Sequence, residues 1–202
     1  MSRKLDGRRY EEIGTAVADL IEDYGISYPV DLFALAETLG VRVITHRGGL
    51  PRGRAAARTE DGYTNVNNSA NGPQFQIHLD QRKPTARRRF TLAHELGHIW
   101  LGHFTESAPA SEEEREGEAH HFASNLLAPT PLICAWVPQL TVDGIARTFR
   151  LSEEAASLAH RRALRALNLQ HPQGEYYGRI AASAVRAESE PDGGSSETRR
   201  SA

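Results

Sequence analysis

The run HELGH at positions 94–98 contains the residues whose types and spacing could do chemistry. His94 and His98 are four residues apart, so on an α-helix both imidazoles project from one face and can bind the same metal ion. Glu95 would lie beside that ion without binding it, where a carboxylate can take a proton from an attacking water. The spacing therefore predicts a hydrolytic zinc site with Glu95 as the general base.

The motif lies in a stretch that is apolar enough to form a buried helix. Lys83-Pro84-Thr85 can start this helix, and between Phe90 and Leu101 the only polar residues are Thr91 and those of the motif. Burying an unpaired polar group costs roughly 2–7 kcal/mol, and a metal ion with a bound water would satisfy both histidines and the glutamate. The alternative is a pair of hydrogen-bonded core histidines with a surface glutamate.

A zinc site of this kind needs a third protein ligand. His103 does not fit the pattern with a third histidine, because that pattern requires glycine and histidine where this chain has Leu101 and Phe104. We therefore expect the third ligand on a second helix.

The stretch from 111 to 129 is predicted to be that helix. Ser111 and Glu114 form a capping box, and Pro129 and Pro131 are expected to end the helix. The apolar face contains Ala119, Phe122, Ala123, Leu126 and Leu127. Glu118 adjoins this face and is the expected third ligand, with Glu114 as the second choice. Glu116 is expected to point elsewhere.

Two segments resemble the ImmA/IrrE family of zinc metallopeptidases. They are RRRFTLAHELGHIWLGH at 87–103 and EGEAHHFASNLLAP at 116–129, and residues 28–43 are similar to the family's usual opening. The resemblance implies that His94, His98 and Glu118 bind one Zn²⁺ per chain and that Glu95 is the base. One difference is that His120, followed by His121, stands where the family commonly has asparagine.

The expected fold class is α+β, with a zincin-like core of the gluzincin type. Helices are predicted at 8–24 and 30–39, and a small mixed or antiparallel sheet is expected to pack on the HExxH helix. Its predicted strands are Val41–Thr45, Ala55–Thr59, Gly62–Asn67 and Phe75–Leu79. Residues 1–130 would form the metallopeptidase domain, 131–180 a helical segment and 181–202 a disordered tail.

The predicted helical segment contains helices at 141–149 and 152–167 that weakly resemble a helix-turn-helix. Arg161, Arg162 and Arg165 could then face phosphates. Packing of both helices on the catalytic core is the favoured alternative, since basic residues on a helix more often form a solvated face.

Composition limits the expected binding partners and cellular location of the protein. The net charge of −2 argues against a strongly electrostatic nucleic-acid binder. No apolar stretch approaches the ~20 residues that cross a bilayer, and the first residues lack the apolar segment of a signal peptide. The single cysteine, Cys134, fits a reducing compartment. A cytoplasmic location is expected.

These observations predict a zinc-dependent endopeptidase that hydrolyses peptide bonds. By the family resemblance, its partner would be a protein substrate, a DNA-binding repressor or antitoxin encoded as a separate chain. The alternative is a non-proteolytic binding module that contacts DNA or a partner protein through its C-terminal helices. A second donor to the oxyanion could be His120, His121, Tyr63 or Tyr176, and the sequence does not choose among them.

Overall fold

The computed structural model describes residues 7–51, 61–70, 72–105, 108, 111–136, 141–168 and 178–180. Over these residues it contains the helices α1 (Gly7–Asp23), α2 (Leu32–Thr38), α3 (Thr85–Trp100), α4 (Glu112–Leu127), α5 (Thr130–Trp136), α6 (Val142–Phe149) and α7 (Glu153–Asn168). The strands are β1 (Arg42–His46), β2 (Gly62–Ser69) and β3 (Gly72–Asp80).

The two N-terminal helices form because their apolar residues recur at helical spacing. In α1, Ile13, Val17 and Leu20 are fully buried, as a 3.6-residue period requires. The first turn of α2 is capped by Asp31, whose carboxylate accepts hydrogen bonds from the backbone N–H groups of Phe33 and Ala34. Both helices contribute to one hydrophobic core that also includes α3, α4 and the inner face of the sheet.

The sheet is mixed and has the order β1-β3-β2. Strand β1 runs parallel to β3, and β2 runs antiparallel to it. Ile77 on β3 is fully buried and pairs with Thr64 on β2, so both side chains point to the same face of the sheet. Within the described residues β2 pairs only with β3, which makes it an edge strand next to α3.

Helices α3 and α4 pack closely because α3 has a glycine at their contact. A Cβ atom added to Gly97 would lie 2.9 Å from Phe122 Cδ1 and 3.3 Å from the Ala119 carbonyl oxygen. Only glycine leaves room for this approach. Since His98 is the next residue on α3, the close packing brings the second histidine of the motif near α4.

The observed α+β architecture confirms the fold class, including the mixed form of the small sheet on the motif helix. One detail differs, because α4 ends at Leu127 and Pro131 lies in the first turn of α5, where its missing N–H costs no helical hydrogen bond. The expected strand at 55–59 and the expected tail at 181–202 lie outside the described residues.

The C-terminal helices pack on the rest of the molecule through small residues of α7. Ala156, Ala159 and Ala163 are buried. Arg162 donates hydrogen bonds to the carbonyl oxygens of Ser124 and Ala128, at 3.2 Å each, and so caps the C-terminal end of α4. None of the helices in the described part of the chain is both long and apolar enough to cross a bilayer.

Candidate metal centre

The structure brings His94, His98 and Glu116 together as a possible metal-binding group. His94 and His98 lie one turn apart on α3, and their Nε2 atoms are 3.0 Å apart. One oxygen of Glu116 lies 3.1 Å from His94 Nε2, and the other lies 3.2 Å from His98 Nε2. Two imidazole nitrogens from α3 and one carboxylate from α4 thus converge on one point.

This geometry fits a zinc ion. Tetrahedral zinc with bonds of about 2.0–2.1 Å separates neighbouring ligand atoms by about 3.3 Å. The two Nε2 atoms are 3.0 Å apart, and each lies 3.1 or 3.2 Å from a different oxygen of Glu116. Two imidazoles and a carboxylate are also a known catalytic zinc ligand set. Both histidines are buried, and the adjacent imidazoles hold the pKa of the Glu116 carboxyl well below its usual value.

Glu118, the expected third ligand, lies elsewhere in the structure. Its carboxylate accepts two hydrogen bonds from Arg9 of α1, at 2.7 and 2.6 Å, and its Oε2 lies 3.0 Å from His103 Nε2. The residue that joins the two motif histidines is Glu116 instead. The second choice, Glu114, belongs to the capped first turn of α4, where its backbone N–H donates to Ser111 Oγ.

Helix α4 lies between α3 and α1, which explains why Glu116 and Glu118 have different partners. Residues 116 and 118 project about 200° apart around a helix, so only one of them can face α3. Helix α4 also packs on α1, and Glu118 is the buried acidic residue that meets Arg9 there, with its side chain 5% exposed. Burial alone would raise the pKa of Glu118, but the bonds from Arg9 and His103 bring it below its usual value.

Glu95 is buried beside the histidines and is held from the sheet. Thr64 of β2 donates its hydroxyl proton to Glu95 Oε2 at 2.6 Å. Burial raises the pKa of the Glu95 carboxyl, while the hydrogen bond from Thr64 opposes that shift. A carboxyl with a raised pKa is better matched to proton transfer near neutral pH. No feature of the sequence around Thr64 indicated this contact, because it joins residues 31 positions apart.

His98 also makes a contact on its other ring nitrogen. Its Nδ1 lies 3.0 Å from Nδ1 of His103, a residue in the turn that follows α3. His103 was excluded as a metal ligand from its spacing, and in the structure it bridges His98 and Glu118. Burial lowers the pKa of His103, while the contact with Glu118 opposes that shift. By contrast, His94 Nδ1 is buried and has no hydrogen-bond partner among the described residues.

The residues considered as oxyanion donors are spread over the structure. Tyr63 stacks on His78 with ring centroids 4.7 Å apart, on the sheet face opposite to Thr64. His121 packs edge-on against Tyr10 of α1, at 4.5 Å. His120 is exposed one turn after Glu116, and its ring lies 4.9 Å from that of Phe90, so it is the candidate on the side of α4 that faces the motif. Tyr176 lies outside the described residues.

The comparison with known families agrees with the site. A sequence model of the family Peptidase_M78, described as the IrrE N-terminal-like domain, matches residues 36–161. This segment is more than half of the chain and contains His94, Glu95, His98 and Glu116. A search of curated proteins found no match. The extent of the family match establishes that the chain belongs to the Peptidase_M78 family, the ImmA/IrrE group that its motifs indicated.

Proposed function

We propose that this protein is a zinc-dependent endopeptidase that cleaves a specific regulatory protein. The observation that carries the proposal is the convergence of His94, His98 and Glu116 on one point, with the buried Glu95 next to His94. The first three would hold one zinc ion per chain, and Glu95 would be the general base. Membership of a peptidase family supports the same reaction.

The side chains would divide the work of peptide hydrolysis. Zinc, when bound, would polarise the scissile carbonyl and make water more acidic. The hydrogen bond from the Thr64 hydroxyl to Oε2 orients the Glu95 carboxylate, which would accept a proton from the attacking water. The same carboxyl would then deliver that proton to the leaving amine.

The sheet edge next to the site suggests how a peptide would bind. Strand β2 carries Thr64, which contacts the base, and it lies at the edge of the described sheet. An extended substrate could pair with this edge through backbone hydrogen bonds. We propose a DNA-binding repressor or antitoxin as the substrate, because the motifs resemble those of peptidases with such targets.

Replacing Glu95 and Glu116 separately would test the site. Elemental mass spectrometry should find one zinc per chain in the wild type, in Glu95→Gln and in the control Glu113→Gln, which changes an exposed residue of α4. Glu116→Gln should contain little zinc, because an amide is a poor substitute for a carboxylate ligand. Zinc retained in Glu116→Gln and lost in Glu118→Gln would return Glu118 to the ligand set.

Proteolysis is tested with the same proteins. Wild type and Glu95→Gln would be incubated with the proteins of the native host, and new N-termini would be identified by mass spectrometry. Cleavages made by the wild type and absent with the zinc-loaded Glu95→Gln protein would support the proposal. Equal cleavage by both would remove Glu95 as the base. A zinc-loaded wild type that makes no new N-terminus would favour the binding-module alternative.

A further inference from the structure

We infer that Arg9, Glu118 and His103 form a positioning chain that holds His98 in the orientation and tautomer needed to bind the metal. The inference rests on the proposed function and adds helix α1 to the metal centre. Arg9 lies outside the residues 36–161 that match the family. The positioning chain therefore reaches the site from a helix that the family match does not cover.

The positioning chain is continuous and short at every contact. Arg9 donates from Nε and Nη2 to the two oxygens of Glu118, at 2.7 and 2.6 Å. Glu118 Oε2 lies 3.0 Å from His103 Nε2, and His103 Nδ1 lies 3.0 Å from His98 Nδ1. Bidentate arginine–carboxylate pairs restrict geometry as well as adding energy. The position of the Arg9 guanidinium therefore restricts the orientation of the His98 ring through Glu118 and His103.

Only one arrangement of protons satisfies all of these contacts when His98 binds a metal. Its Nε2 faces His94 and Glu116 and must carry a lone pair, so its Nδ1 carries the proton. That N–H donates to Nδ1 of His103, whose Nε2–H then donates to the charged Glu118. Arg9 supplies only donors and keeps the carboxylate an acceptor. The positioning chain therefore selects the metal-binding tautomer of His98 before the metal arrives.

Because the positioning chain is buried, the loss of any one of its contacts would be costly. The side chains of His103 and Glu118 are 0% and 5% exposed, so water cannot readily replace a lost partner. A buried carboxylate without a partner is costly, and Arg9 is the cation that meets Glu118. Metal-binding histidines commonly donate a hydrogen bond from their other ring nitrogen to a carboxylate or another acceptor. Here His103 and Glu118 would provide that partner for His98. His94 has no such support among the described residues, where its Nδ1 finds no partner.

Zinc affinity distinguishes positioning from a structural role. Competition with a chromophoric chelator would give the zinc dissociation constant of the wild type, Arg9→Met and His103→Phe. Both variants should bind zinc about ten- to a hundredfold more weakly, the range typical for loss of outer-layer partners. Arg9→Lys should recover part of the loss.

Arg179→Met is the matched control. Arg179 also joins α1 through a guanidinium, with bonds of 2.6 to 2.7 Å to Glu22 and Asp19, but it does not contact Glu118. This variant should lower the unfolding temperature and leave zinc affinity unchanged. If Arg9→Met does not fold, His103→Phe decides the matter. Wild-type zinc affinity in folded His103→Phe would overturn the inference.

A second measurement does not depend on metal or on proteolysis. Nitrogen-15 chemical shifts of the imidazoles in the metal-free protein report which ring nitrogen carries a proton. We expect the proton on Nδ1 of His98 and on Nε2 of His103. The opposite tautomer of His103 would overturn the inference even if the protein is an active peptidase. The expected tautomers in a protein that cleaves nothing would leave the positioning chain standing while the proposed function fails.

Discussion

At the scale of single residues, the carboxyl group of Glu95 is held by Thr64, through its hydroxyl and its backbone N–H. The Thr64 hydroxyl lies 2.6 Å from Oε2 and comes from the sheet, whereas Glu95 belongs to α3. The proposed base is therefore oriented by an element other than its own. This arrangement links the edge strand of the sheet to the proposed chemistry.

Thr64→Val should reduce peptidase activity without removing zinc. Hydrogen bonds to charged groups contribute about 1.5–3 kcal/mol, which corresponds to roughly a ten- to hundredfold loss in kcat/KM. The bond lowers the pKa of Glu95 against the effect of burial, so its loss should move the acidic limb of the pH–rate profile to higher pH. Steady-state kinetics on an identified substrate would check both effects.

Thr64→Ser is the matched control for this prediction, because it keeps the hydroxyl and removes a methyl group. It should retain most of the activity and the original pH profile. Equal kinetics for Thr64→Val and the wild type would show that Thr64 does not orient the base.

The residues of the site differ in how far the sequence could predict them. His94, Glu95 and His98 follow from local spacing, since four residues make about one helical turn. The choice between Glu116 and Glu118 is not decided by the apolar face of α4 alone, from which Glu118 was expected to be the ligand. It depends on Arg9, which is 109 residues away in sequence from Glu118. The role of Thr64 depends on a contact with Glu95, 31 residues away, and that of His103 on a contact with Glu118, 15 residues away.

At the scale of elements, the site depends on the distance between α3 and α4. Two of the proposed ligands project from α3 and the third from α4, so the group exists only while the helices remain in close contact. Gly97 permits that contact, since its missing side chain leaves room for Phe122 and the Ala119 carbonyl. Glu116 lies one turn before Ala119. The packing of the two helices and the spacing of the ligand atoms are therefore set at neighbouring positions.

Gly97→Ala should destabilise the protein and weaken zinc binding. The added methyl would lie 2.9 Å from Phe122 Cδ1, and overpacking of this kind costs about 1–3 kcal/mol, more than the gain of up to about 1 kcal/mol in helix propensity. Urea unfolding and zinc competition would measure the two effects. Gly7→Ala is the control, because its Cβ would meet nothing within 4 Å. Unchanged zinc affinity in Gly97→Ala would show that the spacing of the ligand atoms does not depend on this helix contact.

Most elements of the structure could be predicted because their patterns are local. The predicted strand at 41–45 is observed at 42–46, and the predicted helix at 8–24 is observed at 7–23. The pairing of the strands was not readable, because β1 pairs with β3 across residues that include β2. The short helix α5 was not predicted, since proline stops one helix and is accepted in the first turn of the next.

At the scale of the whole molecule, α1 joins parts of the chain that are distant in sequence. Arg9 and Tyr10 contact Glu118 and His121 of α4, while Asp19 near the other end of the helix contacts Arg179. The surface of α4 toward α1 carries a titratable ring, that of His121, and burial lowers the pKa of this ring to about 4. Stability of this contact therefore depends on pH.

The metal-free protein should lose stability as the pH falls from 6.5 towards 4. Unfolded His121 takes up a proton near its ordinary pKa of 6.5, whereas the folded ring does so only near pH 4, so the stabilisation is present above pH 6.5 and is lost below it. The contribution is at most about 3 kcal/mol. Urea unfolding with a chelator present, at pH 7 and pH 4.5, should show a smaller drop for His121→Gln than for the wild type. An identical drop would exclude His121 as the cause.

The division of the ligand set between α3 and α4 also has a consequence during protein synthesis. His94 and His98 leave the ribosome before Glu116, which is 22 residues after His94, and before Glu118, which anchors Arg9. A nascent chain that ends just before α4 therefore carries the HELGH motif and His103 but only two of the three proposed ligands, and it lacks Glu118, which joins His103 to Arg9. If these residues bind zinc as proposed, hydrolytic activity would require that α4 has emerged and folded against the earlier helices.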